Sequence, residues 1–501
     1  MAMKQISQET FDEAVRENVE DFDMTLEDAT LDAIAQFESQ GVDLSNIIKR
    51  VSDSPEDGAD GASQLQQLKR AIEAIQVLAE QSEVHRQEES IVVALDTLTQ
   101  MLEQAPEMKV IAGRNDAIDP LVTLLECNSA VVVERTSALL TVLSTENTDN
   151  QDFIGQAGLE KLATALTKDW ASMTTVGRLL NATRVACTKH ENNKAHFAKA
   201  HGVEALCTYL QKAKEYDTLS KQVAAALRVL TINDDPKATF SQAQDTIKLL
   251  VAQDIIPYII GIVQTRRDQP ELLTAWLIVL KQLAITEEHC KKIYDLSGLD
   301  LLFRVMQQHE RNLPVVKRCV TVFRNVAAAD ELKEYIITSG GAAQILVAMQ
   351  NHLGDASMQQ HACATLAAIA LRSPENSKRI VDLGAARQIA FAMRAHTTDT
   401  ALLRQASLAI RNMVARSPDL RGRILEEDVE ELLREAQQYR GCGDEAYAAL
   451  RDLGCNIQLS SFGTGAQPKA QFNPVNIESR KLMDAVEEAA EAPFAHHAWS
   501  K

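Results

Sequence analysis

A short pattern recurs along most of this 501-residue sequence: a small or acidic residue, an apolar one, two variable positions and a second apolar one. Its first residue falls at Ala117, Gly158, Gly202, Asp254, Gly298, Gly341, Ala385 and Asp428, in steps of 41, 44, 52, 44, 43, 44 and 43. An independent marker, two apolar residues three apart, falls at Leu140/Leu143, Ala182/Val185, Leu227/Leu230, Leu280/Leu283, Phe323/Val326, Leu366/Ile369, Ile410/Met413 and Leu450/Leu453. Both series lengthen at the same place, which puts an insertion in the polar stretch from Asn233 to Asp245. Such a period means that each unit is one supersecondary element, unable to bury its apolar face alone and obliged to stack on its neighbours.

Spacing and composition say what the unit is made of. Val315, Val316, Cys319, Val320, Phe323 and Val326 recur at helical spacing and line one buried stripe. Gly and Pro number only 20 and 12, too few for the turns of a large β-sandwich, and aromatic residues make up 4%. Each unit therefore reads as a short helix, a middle helix opening at the small residue, and a long third helix. Ser373-Pro374 and Ser417-Pro418, 44 residues apart, read as an N-cap followed by the first helical turn. That reading is preferred to phosphorylation because the period explains it.

A three-helix unit of about this length resembles the armadillo repeat, through segments such as Ser339-Gly340-Gly341-Ala342-Ala343-Gln344-Ile345 and Ala409-Ile410-Arg411-Asn412-Met413-Val414-Ala415. The amino end, Gln8-Glu9-Thr10-Phe11-Asp12-Glu13-Ala14-Val15-Arg16-Glu17-Asn18 and then Gln36 to Ile47, resembles the opening of the armadillo repeat-containing protein 6 family. Cys187 to Asn192, Ala226 to Thr231 and Ala448 to Cys455 are similar to that family too, whereas Asn456 to Lys501 is not. The resemblance implies an all-α, right-handed superhelical armadillo solenoid without assigned catalysis. The expected organisation is an acidic helical arm and linker over 1–63, degenerate capping helices over 64–106, about eight repeats over 107–456 and a partly disordered tail over 457–501.

Charge and cysteines narrow the setting. The chain has 51 Lys/Arg against 70 Asp/Glu, a net charge of −19, and residues 1–63 alone hold four cations against sixteen carboxylates. This balance argues against nucleic-acid binding, which needs clustered cations. Eight scattered cysteines suggest reduced thiols in the cytosol or the nucleus, and no stretch reads as a membrane span or a leader, the most apolar one being broken by Gln253, Asp254 and Pro257.

Catalytic motifs fail on inspection. His190-Glu191 opens a zincin-like pattern, but Lys194 stands where the second His belongs. Cys187, His190, His196 and His201 have ligand chemistry yet straddle a predicted helix junction, so solvated or packed side chains are the preferred reading over zinc. No glycine-rich phosphate loop and no Gly-x-Ser-x-Gly elbow occurs. No enzyme activity, metal or cofactor is expected.

The repeat offers a surface instead. The position after the first apolar marker reads Thr141, Thr183, Arg228, Lys281, Arg324, Ala367, Arg411 and Arg451, and the next position contributes Gln282, Asn325 and Asn412. If third helices lie side by side, Arg228, Lys281, Arg324, Arg411 and Arg451 form a cationic ladder for an acidic partner segment, and the amides can bind a peptide backbone. The alternative is a set of solvated or intramolecularly paired cations. The armadillo proteins of nuclear import place a Trp four residues before the groove Asn; here Thr321 and Leu408 stand there, and the cations would repel a basic cargo. A non-catalytic, monomeric interaction scaffold is therefore the expected function, ahead of a transport receptor or a metal-dependent enzyme. The acidic arm could occupy the ladder in cis; the preferred reading packs Phe11, Val15, Val19 and Phe22 onto the first repeat.

Overall fold

The structure is a computed structural model that describes residues 4–6, 8–22, 24–44, 47, 58–80 and 87–456. The expected tail from 457 on and residues 48–57 of the expected linker lie outside the described residues. The chain divides into two compact units, Met1–Gln253 and Asp254–Lys501.

The first unit opens with β1 (Lys4–Gln5), α1 (Gln8–Phe22), α2 (Leu26–Ser39) and β2 (Val42–Asp43), the two strands pairing in parallel. Phe11, Val15, Ala29, Ala33, Val42, Leu44 and Ile47 form a small core of their own, with Val19 partly buried against it, and Phe22 is 68% exposed. The apolar stripe expected on the first repeat thus packs within the arm, because α2 and β2 supply its apolar partners, while Asp12 of α1 pairs at 3.3 Å with Arg114 of the first repeat. Next come α3 (Gly58–Glu80), which begins before the expected boundary at 63, and α4 (Glu88–Gln104). Then follow α5 (Met108–Arg114), α6 (Ile118–Leu124), α7 (Ala130–Ser144), α8 (Thr148–Thr167), α9 (Met173–Cys187), α10 (Glu191–Lys199), α11 (Gly202–Cys207), α12 (Leu210–Ala213), α13 (Asp217–Leu230) and α14 (Ala243–Ala252).

The second unit runs through α15 (Ile255–Thr265), α16 (Pro270–Leu283), α17 (Glu287–Asp295), α18 (Gly298–Gln308), α19 (Leu313–Val326), α20 (Asp330–Thr338), α21 (Gly341–Asn351) and α22 (Ala356–Ala370). It closes with α23 (Pro374–Asp382), α24 (Ala385–Ala395), α25 (Thr400–Val414), a 3-10 turn at Pro418–Leu420, α26 (Arg421–Leu425), α27 (Val429–Ala436) and α28 (Gly443–Leu453). Within each unit the long third helices pack one on the next: α4, α7, α9 and α13 in the first, and α16, α19, α22, α25 and α28 in the second.

The corner between first and second helix explains the first sequence marker. Its residue is left-handed at Asp116, His201, Asp254, Ser297, Gly340, Gly384 and Asp428, and at Gly155 the corner is a kink inside α8. A positive φ ends the first helix and turns the chain, and the second helix then starts hard against it. At Gly298 a Cβ would stand 2.6 Å from the Ile293 carbonyl oxygen, so a side chain is excluded after that corner, whereas Ile255 and Val429 follow the corners at Asp254 and Asp428. Side-chain caps open many of the helices: Ser129, Asn312, Asp355 and Asp399 each accept from the backbone amide three residues on. Ser373 caps α23 as expected, while Ser417 makes no side-chain cap and opens the 3-10 turn.

First helices also clip the ends of third helices. Asn150 donates to the Leu143 carbonyl at 2.8 Å and to Lys109 at 3.0 Å, and its neighbour Gln151 donates forward to Val185 at 2.7 Å. Asn193 repeats this with Ala186 at 2.9 Å and Gln151 at 2.8 Å, and Lys194 reaches forward to Ile232 at 2.7 Å. His289 meets the Leu283 carbonyl at 2.9 Å, Lys333 donates to Leu371 at 2.8 Å, and Asn376 to Ile369 at 3.5 Å. Leu143, Ala186, Leu283 and Ile369 stand in the last turn of their helices, where carbonyls lack an i+4 amide donor.

A non-glycine left-handed residue costs about 1–2 kcal/mol, so Ser297→Gly should raise the urea midpoint by the equivalent of about 1 kcal/mol, whereas Gly340→Ala, at φ 84°, should lower it by a similar amount.

Candidate functional site

Each third helix is flanked by its neighbours and backed by the shorter helices, so one strip stays open. On α19 Val315, Val316, Cys319, Val320, Val322, Phe323 and Val326 are buried, while Pro314 and Arg324 are exposed and Lys317, Arg318 and Asn325 are half-buried. Arg228, Lys281, Arg324, Arg411 and Arg451 all fall on such strips, Arg228 on α13 in the first unit and the other four in the second. Gln282 is buried. Asn325 donates through Nδ2 to the Lys281 carbonyl at 3.0 Å, and Asn412 to the Ala367 carbonyl at 3.0 Å. These amides already tie adjacent third helices together. Trp276 is fully buried, edge-on to Tyr258, and takes no part in the open strip.

Pairing separates the cations of the second unit. Arg411 lies 3.3 Å and Arg451 2.8 Å from the carboxylate of Asp452, and Arg404 lies 2.7 Å from Glu445. Lys281 and Arg324 have no carboxylate within ion-pair distance among the described residues. Burial, then the nearby Arg324 and Arg318, hold the Lys281 ammonium below its ordinary pKa, and burial does the same to Arg324. Both residues are nonetheless exposed to solvent.

Across the strip on α22, the His361 imidazole is pushed down to about 4, first by burial and then by Arg324, Lys317, Arg318 and Lys281. Its Nδ1 has no hydrogen-bond partner among the described residues. Lys317 is answered by Asp355 at 2.8 Å. The sequence reading missed Lys317, Arg318 and His361; Lys317 precedes Arg324 by seven residues, two helical turns on the same face, and Arg318 is the neighbour of Lys317. In the first unit Arg184 lies near Arg228; its pKa is lowered by burial and then by that neighbour.

The residues weighed for zinc are otherwise engaged. The His190 ring accepts from the Asn193 amide at 3.3 Å and meets Asp152 at 2.8 Å; His201 meets Glu204 at 3.1 Å. Cys187 is buried, its thiol pushed up to about 12, and no cluster of three His, Cys, Asp or Glu fit for a metal occurs among the described residues. Lys194, which broke the zincin pattern, is a buried cation 3.2 Å from Glu191 and 2.5 Å from Asp234. Glu191 also accepts from the Gln242 amide, and Asp235 accepts from the Glu191 amide at 2.9 Å. The insertion is thus bound to α10 by a buried ionic knot.

With this geometry in hand, the comparisons are decisive. A family model described as ARMC6 matches residues 67–471, and one for the armadillo repeat-containing protein 6 N-terminal domain matches residues 3–64. The chain belongs to the armadillo repeat-containing protein 6 family. Members from Homo sapiens and Pongo abelii are each 36% identical over 479 residues, 93% of this chain and 94% of the relative. A Drosophila melanogaster homolog is 30% identical over 381 residues, 75% of this chain and 79% of the relative. The family match extends past Asn456, into part of the tail that the sequence reading set apart.

Among solved structures, an engineered protein superposes with a TM-score of 0.64 at 18% identity, covering 89% of this chain and 99% of that one. A chain solved in work on a phosphorylation switch in the interaction between cadherin and beta-catenin gives 0.56 at 15%, covering 76% and 68%. The fold is an all-α armadillo solenoid, an architecture typical of non-catalytic interaction scaffolds. No single helix among the described residues is long and apolar enough to cross a membrane.

Two measurements check the electrostatics. Removing one member of a buried ionic group strands the others, so Lys194→Met should destabilise the protein by about 3 kcal/mol in urea unfolding. By NMR, His361 should titrate well below 6.5, and Arg324→Gln should raise its pKa. Because the unfolded chain takes up this proton near 6.5 and the folded chain only near 4, stability rises with pH across that window and falls as pH drops through it.

Proposed function

We propose that this chain is a non-catalytic interaction scaffold that holds an acidic segment of a protein partner along the open face of its third helices, and that it does so as a monomer without a cofactor. The observation that carries the reading is the pair Lys281 and Arg324, two cations on adjacent strips that no described carboxylate answers, beside Arg318 and a neutral His361. A partner carboxylate would meet a charge already partly stripped of water, where charge-assisted hydrogen bonds are strongest. Arg411 and Arg451 contribute less, because Asp452 already occupies them. Asn325 and Asn412 hold the helices in register and keep Oδ1 and the second Nδ2 hydrogen for a ligand. The buried, unpaired thiols of Cys187, Cys290, Cys319 and Cys363 fit a reducing compartment, the cytosol or the nucleus.

The test is fluorescence anisotropy with a labelled Glu/Ala peptide against the full chain. Lys281→Glu/Arg324→Glu should weaken binding by about tenfold or more, and Arg411→Gln by about twofold or less. Binding should fall with added salt, and a Lys/Arg-rich peptide should not bind. Equal affinity for the acidic peptide in wild type and the double reversal would remove the reading and leave the fold untouched.

A further inference from the structure

On the open face of the second unit, the cations nearest the end of the described chain are already held. Arg451 on α28 and Arg411 on α25 share Asp452, Arg404 is answered by Glu445, and α22 carries no Lys or Arg. Going back along the stack, Arg324 on α19 and then Lys281 on α16 are the first without a carboxylate among the described residues. Beyond Asn456 the sequence continues to Asp484, Glu487, Glu488 and Glu491, four carboxylates in eight positions with no cation among them.

We infer that residues 484–491 dock in cis on the Lys281–Arg324 cluster and compete there with the acidic partner segment, an inference that rests on the reading of that face given above. Reach supports it. Packed helices lie about 8–10 Å apart, so α19 is about 24–30 Å and α16 about 32–40 Å from α28. Asp484 follows Asn456 by 28 residues, and at about 3.3–3.6 Å per residue a connection of that length reaches at most about 92–101 Å, enough for either helix. A tether able to span the separation gives an effective concentration on the order of 1 mM. The other acidic segment, the amino-terminal arm, folds on its own core, and its Asp12 pairs at 3.3 Å with Arg114 on α5, a first helix away from the open strip.

Zero-length carbodiimide coupling of the full chain at low salt, followed by peptide mapping, tests this. An amide should join Lys281 Nζ to Asp484, Glu487, Glu488 or Glu491 within one molecule. The exposed pair Lys212 and Asp169, 2.8 Å apart, is the internal control. A Lys212–Asp169 link without a Lys281 link, a Lys281 link to residues 9–57, or a link found only between two molecules would overturn the inference. Independently, Asp484→Asn/Glu487→Gln/Glu488→Gln/Glu491→Gln should bind the labelled Glu/Ala peptide about tenfold more tightly than wild type, taking about 100 μM for the tail against its effective concentration. Equal affinity in the two forms would overturn tail docking while leaving partner binding at the face intact; binding by neither form would overturn both.

Discussion

The structure depends on carbonyl oxygens that end one helix and are satisfied by side chains of another. Asn150 and Gln151, and again Asn193 and Lys194, stand next to each other on a first helix and reach to opposite sides, one to the third helix before and one to the region after the third helix that follows. Each bond is worth about 1 kcal/mol when made and more when a buried carbonyl is left without a donor. Two such bonds from one rigid turn set how far apart successive third helices end. Apolar burial drives the stack together; these amides decide its register.

That register places charge. Because Asn325 and Asn412 tie their helices to the one before at a backbone oxygen, the residue preceding each is carried to the same height on its strip. Arg324 and Arg411 are therefore equivalent in geometry and different in circumstance. Arg411 faces Asp452, 3.3 Å away on the next third helix; on α22, the helix after α19, the strip carries His361, Ala364, Ala367 and Ala368 instead. With no acid on that strip, burial first and then the field of four cations hold His361 below its ordinary pKa. The charge left open on such a face is set less by where cations occur than by where their carboxylates are missing.

The repeat, its helix count and the place of the insertion were legible because burial imposes a period that Val315 to Val326 display directly. The cationic phase was legible for the same reason. Which cations were paired was not, since Asp452 and Glu445 lie about 41 residues from the arginines they answer and no local spacing reveals a partner at that distance. Lys194 was read only as a broken motif; its meaning required the acidic loop brought against it from 40 residues away. The arm was misassigned because an apolar stripe on α1 shows that something packs there without showing what, and α2 with β2 proved closer than the first repeat. Left-handed corners at His201 and Ser297 carry no glycine signal at all.

The division of labour between helices has a consequence for change over time and for engineering. First helices carry the polar clips, and third helices spend their buried flanks on each other, so most of the outward strip bears no structural duty. Positions such as Lys281 and Arg324 can be rewritten while the frame persists, provided the amides at 325 and 412 stay. A backbone of this kind separates the grammar of stacking from the vocabulary of recognition, so that new specificities are reachable by single substitutions without passing through an unfolded intermediate.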